Sequence, residues 1–586
     1  MRIKIYFGII CAGFIFLLVG LFNVQILKGP YYKEKSENNR MILLPLEAPR
    51  GKVIDRNGNI LADSRISFDV SIVYKNAKDS ASLIRFLSEK LNVDSKKLRK
   101  KIDKAKWRPY APTLLIEDIG KDKAVFLEGN SMDYPGLVIT TRPRRFYPYH
   151  KYGSSVIGYL GKINESELNR YKHYGYKITD YIGRSGIERQ YDDYLRGQQG
   201  GMQVETDAVG RRKKIVNIRE AVKGKDIQLT IDIELEKYCD RLLGQRNGTI
   251  IVMAPLTGEI YALVSKPNYD PNIFVTTKHR QDVVDILTNV NGDYPLLNRA
   301  ISCSYPPGSV FKIVVALAGL QTNKISKSLS LNCGGAFVLG KARFKCWRKT
   351  GHGPQDIVEA IKNSCNVYFY QIGIRIGVGS IVRFADQFGF GRRTGIDLPG
   401  ETKGILPTPA WKRRKIKESW YLGDTVNFAI GQGFLLVSPI QLLSMVAAVG
   451  NDGQRARPYL AEEIDGVVVS EEKKEKIKID QKNIDIVKKG LEKVVNDPHG
   501  TGMKAKVKGV LIAGKTGTAQ NQTKIDHGWF SGFAPVKEPE VAVLVFVEYG
   551  GKGGYEASKL AKLVFEKCID VGLLGVTGRN IELVNS

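Results

Sequence analysis

Residues 306–312 read Pro306-Pro307-Gly308-Ser309-Val310-Phe311-Lys312, and an apolar helical pattern continues from them to Gln321. A serine in the first turn of a helix and a lysine three residues later lie on the same face, so Ser309 and Lys312 should be neighbours. A lysine amine whose pKa is lowered by burial can accept the proton of such a hydroxyl, and the helix amino terminus presents N–H groups to developing negative charge. The stretch fits a serine nucleophile, although a helix cap beside a solvated lysine would show the same sequence pattern.

Two further polar motifs follow in the chain. Ser364-Cys365-Asn366 lies in or beside a predicted helix that begins near Ile357, where a hydroxyl and an amide can relay protons and hold a substrate amide. Lys515-Thr516-Gly517-Thr518 follows an apolar run that predicts a strand. A strand edge there can pair with an extended peptide, the lysine can bind a carboxylate, and the glycine allows close approach. Taken singly, the first of these two motifs is more typical of ordinary polar residues and the second of a strand-to-turn junction.

Charge and composition narrow the partner classes. The 586 residues are 43% hydrophobic, which is enough for two to four folded units. Lys and Arg outnumber Asp and Glu by 89 to 60, and the net charge of +29 suits anionic partners, unless the lysines are only spread over solvated surfaces. The sequence shows no zinc-finger, homeodomain or RNA-recognition motif, so we expect no nucleic-acid partner. A membrane or a wall polymer remains.

The amino terminus predicts a membrane anchor. Residues 5–26 contain no charged side chain and are long enough to cross about 30 Å of hydrocarbon. Arg2 and Lys4 precede them, which favours a cytoplasmic amino terminus and places the chain after about Lys28 outside the cytoplasm. The alternative is a cleaved signal peptide, whose apolar core would be only about 7 to 15 residues long and would end at a small-residue cleavage site. Residues 23–25 offer no such site.

The predicted fold class is α+β with several domains. The expected order is a cytoplasmic tail (1–4), a transmembrane anchor (5–26), a non-catalytic α/β pedestal (27–225), a catalytic domain with an antiparallel sheet flanked by helices (226–575) and a tail (576–586). Periodicity in the catalytic domain predicts strands at 226–231, 248–254, 260–265, 507–512, 528–534 and 541–547, and helices at 310–321, 357–374 and 439–449. In the pedestal, the Asn57-Gly58 pair predicts a hairpin turn.

In their order, the three motifs resemble the signature of penicillin-recognising serine enzymes, with Cys365 in place of the Asp of many β-lactamases. Other segments resemble class B penicillin-binding proteins, namely Thr257-Gly258-Glu259-Ile260, Gly431-Gln432-Gly433, 50–58 and 527–535. Within that family the chain is most similar to the penicillin-binding protein 2 subfamily, through Phe146-Tyr147-Pro148, Val156-Ile157-Gly158-Tyr159 and 183–189. The division-specific subfamily is the second candidate.

The resemblance implies a dimerisation-type pedestal, a β-lactamase-like transpeptidase domain and a peptidoglycan D,D-transpeptidase that works in cell elongation and cell-shape maintenance. The implied acyl-enzyme forms at Ser309, and β-lactams would acylate the same hydroxyl. The implied catalytic residues are Ser309, Lys312, Ser364, Asn366 and Lys515, and the implied substrate-binding and oxyanion residues are Thr516, Gly517 and Thr518. Expected partners are D-Ala-D-Ala stem peptides, a SEDS-type polymerase and other elongation-complex membrane proteins, with the catalytic domain periplasmic and the anchor in the inner membrane.

Four further residues form a candidate metal set: Cys333, Cys346, His352 and Cys365. Three thiolates and an imidazole are a common structural zinc set, but the spacings of 13, 6 and 13 residues also allow a disulfide or unpaired buried cysteines. The resemblance implies a metal site here, because the penicillin-binding protein 2 subfamily has one in this region, often with Asp at the positions of Cys333 and Cys346. The predicted cofactor is therefore structural zinc. We interpret the remaining cysteines as buried apolar residues: Cys11, Cys239, Cys303 and Cys568.

Three other functions share some of these features. A β-lactamase uses the same acylation but needs an activated water, and no dedicated glutamate loop is recognisable in the sequence. A β-lactam sensor or a non-catalytic scaffold would retain the fold without cross-linking. Slow hydrolysis, a carboxypeptidase activity, is expected only as a side reaction of the transpeptidase.

Overall fold

The computed structural model describes residues 2–32, 41–77, 79–107, 109, 112–171, 175–178, 180–206, 212–276, 279–290, 292–470, 473–520, 525–551 and 554–576. Residue 1 and residues 577–586 of the two predicted tails lie outside the described residues. The chain divides into two compact units. The first comprises Met1–Gly51, Ser64–Arg144 and Arg196–Gly224, and the second Lys52–Asp63, Arg145–Leu195 and Lys225–Ser586. The predicted domain bounds at 225/226 and 575/576 stay predictions.

The first unit begins with an apolar helix, Arg2–Phe22, which continues as one π-helical stretch, Asn23–Leu27. The 25 residues Ile3–Leu27 are long and apolar enough to cross a membrane, and their side chains are exposed. At 1.5 Å per residue this segment is about 37 Å long, which exceeds the hydrocarbon thickness of about 30 Å. Length and composition thus agree with the predicted span.

The rest of the first unit is α+β. One antiparallel sheet contains Met41–Leu46, Gly200–Thr206 and Arg212–Arg219. A second group contains Thr113–Ile116 and the greater part of the strands Ile60–Ile72 and Leu137–Phe146, with the helices Ser80–Leu91, Ser95–Ala105 and Lys121–Gly129 and the 3-10 turn Tyr74–Asn76. Its core includes Val70, Leu87, Leu98 and Leu127.

The second unit is built on a five-stranded antiparallel sheet. Its strands are β1 (Gly248–Met253), β2 (Ile260–Lys266), β3 (Ala513–Ala519), β4 (His527–Ala534) and β5 (Val541–Val547), in the order β2-β1-β5-β4-β3. Helices α1 (Ile233–Leu243) and α7 (Tyr555–Asp570) pack on one face, and α5 (Pro439–Gly450) and α6 (Gln481–Asn496) pack on the other. The central strands are buried on both faces, which explains the apolar run from Val541 to Val547.

Three further helices lie next to the first two predicted motifs. They are α2 (Lys312–Gln321), α3 (Ile357–Lys362) and α4 (Asn366–Ile376). The other helices of this unit are Ser154–Ile157, Glu165–Tyr171, Gly186–Gln190, Asp192–Leu195, Arg280–Thr288, Val378–Gln387, Pro409–Lys415 and Leu422–Phe428, with 3-10 turns at Pro271–Val275, Gly308–Phe311 and Met503–Ala505. The short strands are Val53–Ile54, Leu160–Lys162, Tyr181–Gly183, Ile227–Leu229, Leu331–Cys333, Ala336–Leu339, Ala342–Lys345, Gly353–Gln355, Gln454–Ala456, Ala461–Ile464, Val467–Val468 and Lys474–Lys476.

The predicted Asn-Gly hairpin is confirmed. Val53–Ile54 pairs antiparallel with the start of Ile60–Ile72, and Gly58 in the turn has a φ of +84°. The Asp55 carboxylate accepts the N–H groups of Asn57 and Asn59 at 2.9 and 2.8 Å, so this side chain fixes the turn.

Two predicted elements are misplaced. No strand forms at 507–512, where Val507 and Val510 make only an isolated bridge, and the strand is β3 at Ala513–Ala519 instead. The polar residues of the third motif therefore lie inside a strand, because pairing with β4 compensates for their weak strand pattern. The predicted helix 357–374 is two helices, since Ser364 has a φ of +51° and ends the first of them.

Candidate active site

The segment that contains Ser309 is pressed against the third motif. Gly308–Phe311 forms a 3-10 turn that leads directly into α2, and Ser309 is half-buried while its neighbours Gly308 and Val310 are buried. Gly308 donates its N–H to the Gly431 carbonyl at 3.0 Å and has a φ of +53°. A β-carbon on Gly308 would lie 2.3 Å from the Thr518 carbonyl oxygen. Only glycine allows the two backbones to come this close.

Lys312 is fully buried one turn after the serine. Its Nζ donates to the Ser364 carbonyl at 2.9 Å and to Asn366 Oδ1 at 2.7 Å, and it lies 3.3 Å from Ser364 Oγ. Burial lowers the pKa of Lys312 to about 8, while the thiols of Cys365 and Cys346 act in the opposite direction. A side chain that is predominantly protonated in water thus becomes a base that operates near neutral pH.

Ser364 lies between two buried lysines. Lys515, on β3, also points to Ser364 Oγ at 3.0 Å and donates to the Thr516 carbonyl at 3.1 Å. Burial, and then the charge of Lys312, hold the pKa of Lys515 well below its usual value. The left-handed backbone of Ser364 is unusual for a serine. This strained turn is held where the two motifs meet, as is common at functional sites.

Strand β3 forms the second wall of the site. It is the last strand in the order of the sheet and pairs with β4, with Lys515 opposite Ser531 and Gly517 opposite Trp529. In the part of the chain that the structure describes, its other edge pairs with no strand of the sheet. A β-carbon on Gly517 would lie 2.9 Å from Val310 Cγ2, so the glycine again permits close packing. An extended peptide can pair with such an edge.

The structure brings four predicted catalytic residues together and packs the Ser309 turn against the third motif. Lys312, Ser364, Asn366 and Lys515 share side-chain contacts, and Gly308 and Thr518 meet through their backbones next to Ser309. Two residues that support the walls had no role assigned from the sequence. Gln432 donates to the Thr518 carbonyl at 3.0 Å, and Thr501 accepts from Thr516 at 3.4 Å and donates to the Lys362 carbonyl at 3.1 Å. A polar residue beside glycine, as in Gly431-Gln432-Gly433 and Gly500-Thr501-Gly502, is the signal that could have indicated them.

The predicted metal set also comes together. The ligand atoms of Cys333, Cys346, His352 and Cys365 all lie within 4.8 Å of one another. His352 Nδ1 lies 3.6 Å from both Cys333 Sγ and Cys346 Sγ. A tetrahedral ion with Zn–S of about 2.3 Å and Zn–N of about 2.0 Å separates S and N ligands by about 3.5 Å, so the spacing fits zinc.

The hydrogen bond between Cys346 and Cys365 shifts the pKa values of the two thiols in opposite directions. It lowers the pKa of Cys346 far below that of an ordinary thiol, with a further contribution from His352, and it raises the pKa of Cys365. All seven cysteines are free thiols, so no pair among them forms a disulfide in this structure. Of the remaining four, Cys239 and Cys568 are buried as predicted, but Cys303 is half-buried and Cys11 is exposed on the apolar helix.

Comparisons with known proteins identify the family. One protein-family model, described as the penicillin-binding protein transpeptidase domain, matches residues 248–570, and a second, the penicillin-binding protein dimerisation domain, matches residues 45–229. The chain is a class B penicillin-binding protein. The predicted family and the predicted arrangement of a pedestal and a transpeptidase domain are therefore confirmed.

Curated relatives cover almost the whole of this penicillin-binding protein. It is 32% identical to the peptidoglycan D,D-transpeptidase MrdA of Haemophilus influenzae, over 97% of this chain and 91% of the relative. The MrdA protein of Acinetobacter baumannii is 34% identical over 93% and 84%. Among solved structures, the PBP2 of Helicobacter pylori in complex with MreC is similar with a TM-score of 0.80 and 27% identity, and the match covers 91% of this chain and 99% of that one.

Proposed function

We propose that this class B penicillin-binding protein is a peptidoglycan D,D-transpeptidase that cross-links stem peptides during cell elongation. The curated relatives named MrdA support the reaction and the role. The observation that carries the proposal is the convergence of two buried lysines on the hydroxyl of Ser364: Lys515 from β3, and Lys312, which lies three residues after Ser309. Elongation is preferred to division because the relatives from H. influenzae and A. baumannii, which match over most of the chain, are named MrdA.

The proposed acylation uses these residues as follows. Lys312 takes the proton of Ser309, whose oxygen attacks the carbonyl carbon of the penultimate D-alanine. The backbone N–H groups of Ser309 and Thr518 stabilise the oxyanion that forms. As the C–N bond breaks, Ser364 passes a proton to the nitrogen of the terminal D-alanine, which leaves as the free amino acid. A β-lactam ring would be opened by the same attack.

Substrate orientation uses both walls of the cleft. Asn366 holds the stem amide, and Lys515 with Thr516 binds the terminal carboxylate. Gly517 has no side chain in the way, so a stem peptide can lie along β3 as an added strand. The acyl-enzyme is then attacked by an amine of a neighbouring stem, which forms the cross-link and frees Ser309. Water in place of the amine gives the carboxypeptidase side reaction.

We also propose that Cys333, Cys346, His352 and Cys365 bind zinc. When bound, the ion would supply structural cross-linking and no reacting group. Cys365 lies between Ser364 and Asn366 and caps α4 by accepting the Tyr368 N–H at 3.5 Å. Holding Cys365 therefore holds the turn that places both catalytic neighbours.

The apolar helix is proposed to anchor the chain in the cytoplasmic membrane, with Arg2 and Lys4 inside and the cleft outside. A SEDS-type polymerase and an MreC-type protein are the proposed partners. The H. pylori complex supports the second of these, because a PBP2 of the same fold binds MreC there.

One reaction tests the proposed function. Full-length protein supplied with uncross-linked glycan chains that contain pentapeptide stems should release D-alanine and form dimeric stems, detected by mass spectrometry, whereas Ser309→Ala should do neither. Monomeric tetrapeptide as the only product would indicate a carboxypeptidase, rapid turnover of a penicillin would indicate a β-lactamase, and neither product would indicate a scaffold. In cells, Ser309→Ala should give round cells, and filaments would indicate the division role.

A further inference from the structure

A half-buried carboxylate lies outside the reacting groups but is hydrogen-bonded to the segment that contains the nucleophile. Glu548 follows the last residue of β5, and its Oε1 accepts a hydrogen bond from the Tyr305 hydroxyl at 2.5 Å. The same oxygen accepts a hydrogen bond from Arg299 Nε at 3.1 Å. The side chains of Arg299 and Glu548 are only 4% and 13% exposed. Charge-assisted hydrogen bonds in such a site are strong and directional.

Tyr305 lies four residues before Ser309, and its backbone is fixed as well. It exchanges both hydrogen bonds with Val437, at 2.9 and 3.0 Å. Its ring packs against Phe546 of β5, with centroids 4.3 Å apart. The carbonyl of the next residue, Pro306, accepts a hydrogen bond from Trp529 Nε1 of β4 at 3.1 Å.

These bonds connect the nucleophile to the substrate strand. Trp529 lies opposite Gly517 of β3, and Phe546 lies opposite Trp529 on the other side of β4. The chain from Glu548 through Tyr305 and Pro306 thus ties the start of the Ser309 turn to the same strands that hold β3 in register. A displacement of about 1 Å at a reacting atom can cost about a hundredfold in rate.

We infer that Glu548 is a positioning residue for acylation. Through Tyr305, and with Arg299 holding the carboxylate from its other side, it sets the distance between Ser309 and the stem peptide on β3. The described hydrogen bonds and ion pairs of the Glu548 side chain go to Tyr305 and Arg299, so it acts on the Ser309 turn through Tyr305. The inference rests on the proposed acyl transfer, since it concerns the rate of that step.

A bond that only stabilises the fold would have a different effect on the kinetics. Loss of positioning lowers the rate constant of the covalent step and leaves the dissociation constant of the preceding non-covalent complex unchanged, because β3 and Lys515 stay in place. Loss of a purely structural bond would lower the melting temperature and leave both the covalent rate constant and the dissociation constant of the folded enzyme unchanged.

The experiment measures both constants with full-length protein and a fluorescent penicillin in stopped flow. Tyr305→Phe, which keeps the ring, and Glu548→Met, which has no oxygen to accept the hydrogen bond, should each lower the covalent rate constant about tenfold and change the dissociation constant less than about twofold. The double variant should be no slower than either single variant, because both remove the same link. Tyr261→Phe is the matched control, since Tyr261 donates to Glu259 at 2.8 Å in the same sheet and should leave both constants unchanged.

Wild-type covalent rate constants in both variants would overturn the inference, as would a double variant slowed by the product of the two single effects. Wild-type protein that is not acylated at Ser309 would instead contradict the proposed function. The two failures are therefore distinguishable in one set of measurements.

Discussion

Lys312 and Lys515 approach the same hydroxyl, that of Ser364, at 3.3 and 3.0 Å. Both amines are fully buried, and burial together with the charge of Lys312 keeps the pKa of Lys515 low. Two cations in one dry site repel each other, so protonation of one lysine disfavours protonation of the other. One lysine can then accept a proton while the other binds the substrate carboxylate.

Acylation should depend on pH through Lys312. The neutral amine is the base, so the rate of acylation by a penicillin should rise with pH until the pKa of about 8 is passed. Below that value the rate should fall about tenfold per pH unit, as a one-proton titration requires. Stopped-flow acylation rates from pH 6 to 9 measure this rising limb of the pH–rate profile. A flat profile below pH 8 would contradict the assignment, and Lys312→Met should abolish the limb together with most of the rate.

Substitutions of Ser364 should separate the strain of its backbone from the role of its hydroxyl. Glycine tolerates a φ of +51° and alanine does not, so Ser364→Gly should unfold with a free energy about 1 kcal/mol greater than Ser364→Ala. Both variants lack the hydroxyl, so both should acylate at least about a hundredfold more slowly than wild type. Denaturant titration and acylation rates measure the pair. Equal stabilities would mean that the left-handed backbone is not strained.

Gly308 should not tolerate a methyl group. Gly340 has a similar φ, +57° against +53°, but a β-carbon there meets nothing within 4 Å. Gly340→Ala should therefore cost only the backbone strain of about 1 kcal/mol and leave acylation unchanged. Gly308→Ala adds the contact with the Thr518 carbonyl, so it should be less stable and should lose acylation. Equal effects of the two substitutions would refute the close packing of the Ser309 turn on β3.

Removal of a metal ligand should slow acylation without removing a reacting group. Purified protein should contain about one zinc per chain, and Cys346→Ser should lose it and react more slowly with penicillin. Cys239→Ser, a buried cysteine outside the cluster, is the control and should keep both metal and rate. Metal analysis beside acylation rates decides the matter. A wild type without zinc, or one whose thiols form a disulfide, would contradict the site.

The motifs and the anchor could be predicted from the sequence because each depends on local residue order. Strand β3 could not be placed, since Lys515-Thr516-Gly517-Thr518 has no apolar alternation and becomes a strand only through pairing with β4. The break at Ser364 was missed for a similar reason: the apolar pattern continues on both sides of it. Tyr305 and Glu548 are 243 residues apart, and no local pattern relates them.

The nucleophile is the central claim, and mass spectrometry tests it most directly. Full-length protein incubated with a labelled penicillin should gain the mass of one β-lactam per chain, and peptide mapping should place the adduct on Ser309. Ser309→Ala should gain none and remain folded. An unmodified wild-type chain, or an adduct on any other residue, would contradict the account.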